Sequence, residues 1–155
     1  MGRRDPILTW FFAMVIVRKG DRFLLVHERK HDQLWYIPGG RVEPGETIEE
    51  GAIRETLEEG GIPVKLEGLL RVEHSPMPDG SARCRVFFLA HPADDTPPKS
   101  VPDDESLEAR WVHPKELSRY ALRSEEVLEV INYVAGGGQV FPMRAFTYEG
   151  APWIR

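Results

Sequence analysis

The sequence predicts a mixed α/β domain, on three observations. Several apolar runs carry strand character, one short charged segment carries helix signals at both ends, and a second capped helix closes the compact part of the chain. Residues 7–17 and 22–28 ("RFLLVHE") read as two strands joined by the "RKGD" turn, and "LWYIP" is a short extended piece stopped by Pro38. "VKLEGLLRVEHS" and "ARCRVFFLAH" follow as a strand pair around "PMPDG", whose Asp-Gly suits a hairpin loop. Residues 92–106, "PADDTPPKSVPDDES", are proline-rich, acidic and aperiodic, so an exposed loop is expected there. "LEARWVH" suggests a further strand and "PKEL" a helical turn. Ser124, Glu125 and Glu126 make a capped start for a helix running to about Ala135, ended by Gly136–Gly138.

A chain of 155 residues suits one domain, 1–155, and no internal repeat divides it. Its tail, 136–155, carries Phe141, Phe146, Tyr148 and Trp153 and is too aromatic for a purely solvated end; it is expected to fold back on the domain or to cover a homodimer partner. The formal charge of −5 argues against broad attraction to nucleic acid or an anionic membrane, so no stable nucleic-acid binding is expected and a phosphate-rich ligand would need metal ions or local arginines. No apolar run approaches a membrane span. Two early arginines before "ILTWFFAMVIV" imitate a signal peptide, but Arg18–Asp21 reads as a turn rather than a cleavage site, which favours a core strand. The single Cys84 excludes an intramolecular disulfide, reads as a small buried hydrophobe and fits a cytoplasmic protein.

The segment "GGRVEPGETIEEGAIRETLEEGGI", residues 39–62, holds seven glutamates and two arginines. Thr47 and Glu50 form a capping box that starts a helix at Ile48, and Gly60 and Gly61 supply its stop. With about 100° per residue and Glu55 at zero, Glu58 falls near −60° and Glu59 near +40°, so three carboxylates share one face. Ala52, Ile53, Thr56 and Leu57 occupy the opposite side, which is expected to pack on the sheet. Gly51 projects among the carboxylates; either it leaves room for a metal or phosphate, or it is a tolerated surface glycine. A solvated acidic face is the plain alternative for the whole helix, since repulsion between neighbouring glutamates costs only a few tenths of a kcal/mol each. Hard divalent cations such as Mg²⁺ take carboxylates together with water and phosphate oxygens, and this face suits them; zinc-ligand spacing and the calcium-loop pattern are both missing.

The same segment resembles the signature of the Nudix hydrolase family: Gly, five residues, Glu, seven residues, then Arg-Glu-aliphatic-x-Glu-Glu-x-Gly-aliphatic. The matching positions are Gly40, Glu46, Arg54, Glu55, Thr56, Glu58, Glu59, Gly61 and Ile62, of which only Thr56 departs from the pattern. With "WYIPGG" and the flanking strands, the resemblance covers roughly residues 8–135. It implies a Nudix fold, a mixed β-sheet sandwiched between α-helices, and Mg²⁺-dependent hydrolysis of a nucleoside diphosphate linked to some further group, with Mn²⁺ as a substitute metal. By the same resemblance Glu55, Glu58 and Glu59 are metal ligands, and Glu58 or Glu59 also helps activate water. Gly40 offers its carbonyl to the metal and Glu46 supports the metal directly or through water. Arg54 orients the glutamates, having Glu50 and Glu58 one turn to either side.

Outside the signature, Arg29 after the second strand is the first candidate for substrate phosphate, followed by Arg83 and Arg85, although a strand-end arginine is often only solvated. Trp35, Tyr36 and Phe87 are candidates to stack on a base, with burial in the core as the alternative. Glu105 in "DDESLEARWV" occupies a loop where many members of the family hold an additional acid. The expected substrate is a nucleoside di- or triphosphate, including oxidised guanine nucleotides. A nucleotide sugar, dinucleoside polyphosphate or capped RNA is the alternative substrate, and a binding module without hydrolysis the alternative class.

Overall fold

The computed structural model describes residues 2–155. Among them run eight strands, β1 (Thr9–Lys19), β2 (Arg22–Glu28), β3 (Trp35–Tyr36), β4 (Gly39–Arg41), β5 (Val64–Pro76), β6 (Ala82–Pro92), β7 (Ser106–Val112) and β8 (Phe141–Pro142), with helices α1 (Ile48–Gly60) and α2 (Glu125–Ala135). β1 is the spine. It pairs in parallel with β6 from Thr9↔Ala82 to Val17↔Ala90, and antiparallel with β4 at one end and β2 at the other. β5 extends the sheet beyond β6, while β3 and β7 flank β2.

The two-residue period of the strands explains why helices cover both faces. Ala13, Val15 and Val17 point into one core with Ala52 of α1; Met14 and Ile16 point into the other with Val127, Ile131 and Val134 of α2. β2 and β6 repeat the division, Leu24, Val86 and Phe88 facing α1 while Phe23, Leu25 and Phe87 face α2. Strands buried on both sides read as continuous apolar runs, which is how "AMVIV" and "FLLV" stand in the sequence. The result is the mixed sheet between helices that the sequence predicts.

α1 begins as expected, with the Thr47 side chain accepting from the Glu50 N–H at 3.1 Å, and ends on Gly61 at φ +76°. Its packing face differs from the helical-wheel expectation. Gly51, Ala52, Thr56 and Gly60 are buried, whereas Ile53 and Leu57 are exposed. The contact stripe is made of small residues because the helix lies close on the sheet: a Cβ on Gly60 would come within 2.8 Å of Leu24 Cδ2. Thr56, the departure from the signature, is fully buried, and its hydroxyl donates to the Ala52 carbonyl at 2.8 Å, so no polar group is stranded.

β4 has no counterpart in the sequence expectations. Gly39 stands at φ +155°, where a Cβ would lie 2.5 Å from the Ala13 carbonyl oxygen, and this close approach carries Gly40 and Arg41 alongside β1. Between β2 and β3, His31, Asp32 and Gln33 take φ values of +54°, +60° and +55°, three successive side-chain-bearing residues in the left-handed region. The loop 92–106 is largely exposed, as expected, although it tucks in the side chains of Lys99 and Ser106. Lys99 is almost wholly buried and donates to the Glu58 carbonyl, Asp103 and Ser106, bringing a cation to the C-terminal end of α1. Cys84 is half-buried rather than buried. The tail turns back on the domain through β8 against β5, and Met143 and Phe146 pack on the α1 side of the core. Beyond them Tyr148 and Trp153 are exposed. No helix among the described residues is long and apolar enough to cross a membrane.

Candidate active site

α1, β4 and the ends of β1, β2 and β6 enclose a cleft of about 500 Å³. Its floor carries Glu55, Glu59 and Gly40, with Glu28 beside them; Arg41, Arg83, Arg85 and Arg123 supply the basic wall, together with Phe12, Met14 and Tyr36. Arg29, Lys30, His31, Asp104 and Glu105 form the loop side.

Arg54 organises the acidic helix. Its Nε donates to Glu46 Oε2 at 2.7 Å and its Nη2 to Glu46 Oε1 at 2.9 Å, a two-pronged pairing that holds the guanidinium plane. Nη1 then reaches Glu55 at 3.0 Å and Glu58 at 3.1 Å. Gly51 leaves room for the Glu46 carboxylate rather than for a ligand, since a Cβ there would stand 2.9 Å from Glu46 Oε1. Hydrogen bonding from Arg54 pulls the Glu46 carboxyl below the ordinary carboxylate range. Burial pushes Glu58 above it, with the charges of Glu55 and Glu105 adding to the effect and Arg54 opposing it.

Glu59 lies deeper. Burial, followed by a hydrogen bond and like charge from Glu55, raises its pKa well above the usual value, and the charge of Glu28 adds to this; the Gly39 N–H opposes it. A Cβ on Gly40 would fall 2.6 Å from the Glu55 carboxylate and displace it. The repulsion of two neighbouring carboxylates is relieved by a shared proton or by a cation.

The fit to a divalent ion follows from these donors. Every candidate group offers oxygen, the set that hard ions such as Mg²⁺ and Mn²⁺ prefer. Among the described residues no three acidic, histidine or cysteine side chains stand arranged as a ready chelate, and Arg54 pairs with both Glu55 and Glu58. Holding an ion would require Glu58 to exchange this partner for it.

The basic wall is preorganised differently. Arg85 pairs with Glu73 and Glu126, and Tyr36 donates to Glu126 Oε2 at 2.8 Å. Burial and this hydrogen bond push the Tyr36 hydroxyl up to about 12. Arg123 lies 4.6 Å over the Tyr36 ring. Arg41 sits 4.2 Å over Trp10 and Arg83 4.8 Å over Phe12; neither has a carboxylate partner among the described residues, so both charges remain available to an anion.

Of the residues proposed from sequence, Gly40, Glu55, Glu59, Arg29, Arg83, Arg85, Tyr36 and Glu105 reach the cleft. Glu46, Arg54 and Glu58 stand behind it as the ion-pair network. Trp35 does not reach it: the ring is buried, stacked on His27 at 4.5 Å and edge-on to Tyr120. Phe87 is also buried and faces a separate groove with Leu70 and Tyr133. Arg29 donates its Nε to the Asp103 carbonyl at 2.8 Å, which ties it to the neighbouring loop. Glu28, Arg41 and Arg123 line the cleft beyond the residues that the sequence nominates. A charged residue ending an apolar strand is a signal for Glu28, while Arg41 depends on the unforeseen β4 and Arg123 on a turn without a pattern of its own.

A sheet clasped by two helices, with a glutamate-bearing helix facing an arginine-walled cleft, defines a class of domain suited to holding a polyanion beside a cluster of carboxylates. The chain belongs to the NUDIX domain family, whose model matches residues 10–131. Nudix hydrolases generally use divalent metal ions. The chain is 37% identical over 124 residues to the 8-oxo-dGDP phosphatase NUDT18 of Homo sapiens, covering 78% of this chain and 37% of that protein. It is 32% identical over 117 residues to an ADP-ribose pyrophosphatase of Methanocaldococcus jannaschii, covering 74% and 68% of the two chains. The chain thus spans little more than a third of the NUDT18 relative's length. A NUDIX hydrolase from Nitrosomonas europaea has the same fold, with a TM-score of 0.74 at 25% identity over 92% of this chain and 99% of that one.

Proposed function

We propose that this protein hydrolyses the diphosphate linkage of a nucleoside di- or triphosphate with Mg²⁺, Mn²⁺ serving as substitute. The observation that carries the reading is the Glu55–Glu59 pair at the floor of the cleft, walled by arginines with free charge. When bound, the metal neutralises phosphate oxygens and lowers the pKa of water. Glu55, Glu58 and Glu59 would hold it, with the Gly40 carbonyl as a further oxygen and Glu46 as support.

Arg54 sets the carboxylates in register before the substrate arrives. Glu59 or Glu58, as an ionised carboxylate, receives the proton of the attacking water. Glu105, whose charge already acts on Glu58, stands on the loop side to assist. Arg41, Arg83 and Arg29 bind phosphate oxygens, which holds the linkage in line for attack. Oxidised guanine nucleotides are the favoured substrates, because one relative carries the name 8-oxo-dGDP phosphatase. The relative named ADP-ribose pyrophosphatase keeps a nucleotide sugar as the second reading.

We also place the protein in the cytoplasm, without stable binding to nucleic acid, and assign the exposed Tyr148 and Trp153 to a homodimer contact. A panel of guanine, 8-oxoguanine and adenine nucleotides with ADP-ribose, incubated with Mg²⁺, tests the activity by release of phosphate or pyrophosphate. Metal-dependent turnover of a nucleoside di- or triphosphate supports it. Absence of turnover for every member with Mg²⁺ and with Mn²⁺ leaves the binding-module reading.

A further inference from the structure

Glu28 closes β2 and lines the cleft beside the catalytic carboxylates. Its Oε1 accepts from Arg123 Nη1 at 2.9 Å. Its Oε2 is buried and, alone among the buried side-chain nitrogens and oxygens of the described residues, has no hydrogen-bond partner. A buried acceptor without a donor is costly, so the arrangement favours a ligand that brings one.

The surroundings narrow the donor. A carboxylate repels phosphate oxygens, so the ligand atom facing Oε2 is not part of the phosphate chain. Arg123, held by Oε1, lies over the Tyr36 ring, and Phe12 and Met14 complete a partly apolar wall of the same cleft. A planar, polar-edged ring fits such a wall, and its N–H groups fit the acceptor. Guanine presents a ring N1–H beside its amino group, and 8-oxoguanine adds an N7–H. Adenine has an amino group but no ring N–H on these edges, and its ring nitrogens would set lone pairs against the carboxylate.

We propose that Glu28, positioned by Arg123, reads the N–H edge of the substrate's base and selects guanine-type bases over adenine. This deepens the nucleotide-hydrolase reading and rests on it for the location of the base. Charge-assisted recognition of a base edge in a buried site discriminates by about 10- to 100-fold.

The test is metal-free calorimetric binding of GMP, 8-oxo-GMP and AMP to the wild-type protein, Glu28→Gln and Glu28→Leu, with Mn²⁺ binding measured in parallel. Wild type is expected to bind the guanine-type monophosphates at least about 10-fold more tightly than AMP. Glu28→Gln narrows that preference and Glu28→Leu abolishes it, while AMP and Mn²⁺ affinities stay within a factor of about two to three. Absence of a wild-type preference, or equal loss for all three nucleotides, overturns the proposal. So does a fall in Mn²⁺ affinity with the base preference intact, which would place Oε2 on the metal. Because binding is read without turnover, a failure of hydrolysis and a failure of base reading are told apart. Arg123 is 37% exposed, so the variants leave its charge reachable by water.

Discussion

Arg54 grips Glu46 with two hydrogen bonds, Nε to Oε2 at 2.7 Å and Nη2 to Oε1 at 2.9 Å, and this pairing determines where the rest of its guanidinium points. Glu46 thus acts through Arg54 on Glu55 and Glu58. Glu46→Gln should lower kcat by about 10-fold or more through misplaced carboxylates, and cost about 1–2 kcal/mol of stability, the scale of a partly buried charged pairing. Steady-state kinetics and urea unfolding check both effects. Unchanged kcat would make the pairing purely structural.

Gly40→Ala would drive a Cβ into the Glu55 carboxylate, 2.6 Å away. The expected outcome is a loss of divalent-metal affinity of about 10-fold or more, measured by Mn²⁺ titration, with little change in the circular dichroism spectrum. Gly51→Ala meets Glu46 instead, and its effect should follow that of Glu46→Gln.

The sequence makes part of this network legible and hides the rest for a physical reason. Caps, glycine stops and the spacing of Glu55, Glu58 and Glu59 are local, so α1 and its acidic face can be read along the chain. The continuous apolar runs of β1, β2 and β6 likewise announce strands, which in the fold carry a core on each side. Trp35 and Phe87 could not be assigned that way, because a strand-borne aromatic reads the same whether it faces a ligand or a core. Gly51 takes its role from the Glu46 carboxylate lying against it, and Arg123 meets Glu28 across 95 residues of sequence.

Glu126 links α2 to the basic wall, and its ionisation gives stability a pH dependence. Burial alone would raise its pKa, but hydrogen bonds from Arg85 and Tyr36 outweigh it and hold the carboxyl below the ordinary range. A lowered folded-state pKa contributes stability above the unfolded value, and that contribution is lost as pH falls through the folded one. Glu126→Gln should therefore be less stable than wild type at pH 7 by about 1–3 kcal/mol, with the gap closing in acid below the usual carboxylate range. Thermal unfolding from pH 7 downward reads the gap; a constant difference would contradict the assignment.

Lys99 pins its loop under the end of α1 through the Glu58 carbonyl, Asp103 and Ser106. Lys99→Met should cost about 1–3 kcal/mol and speed hydrogen exchange across residues 99–106, freeing Glu105 from its place beside Glu58. Exchange measured by mass spectrometry checks it, and unaltered protection would show that the loop is held by its backbone alone.

The most direct test of the account is the single-turnover hydrolysis rate of 8-oxo-dGDP with saturating Mg²⁺, in wild type and Glu59→Gln, with the fold of both verified. The account predicts metal-dependent turnover in wild type and a loss of at least about 100-fold in the variant, as expected when a group that holds the metal or takes the proton is removed. A Glu59→Gln rate equal to that of wild type would contradict it.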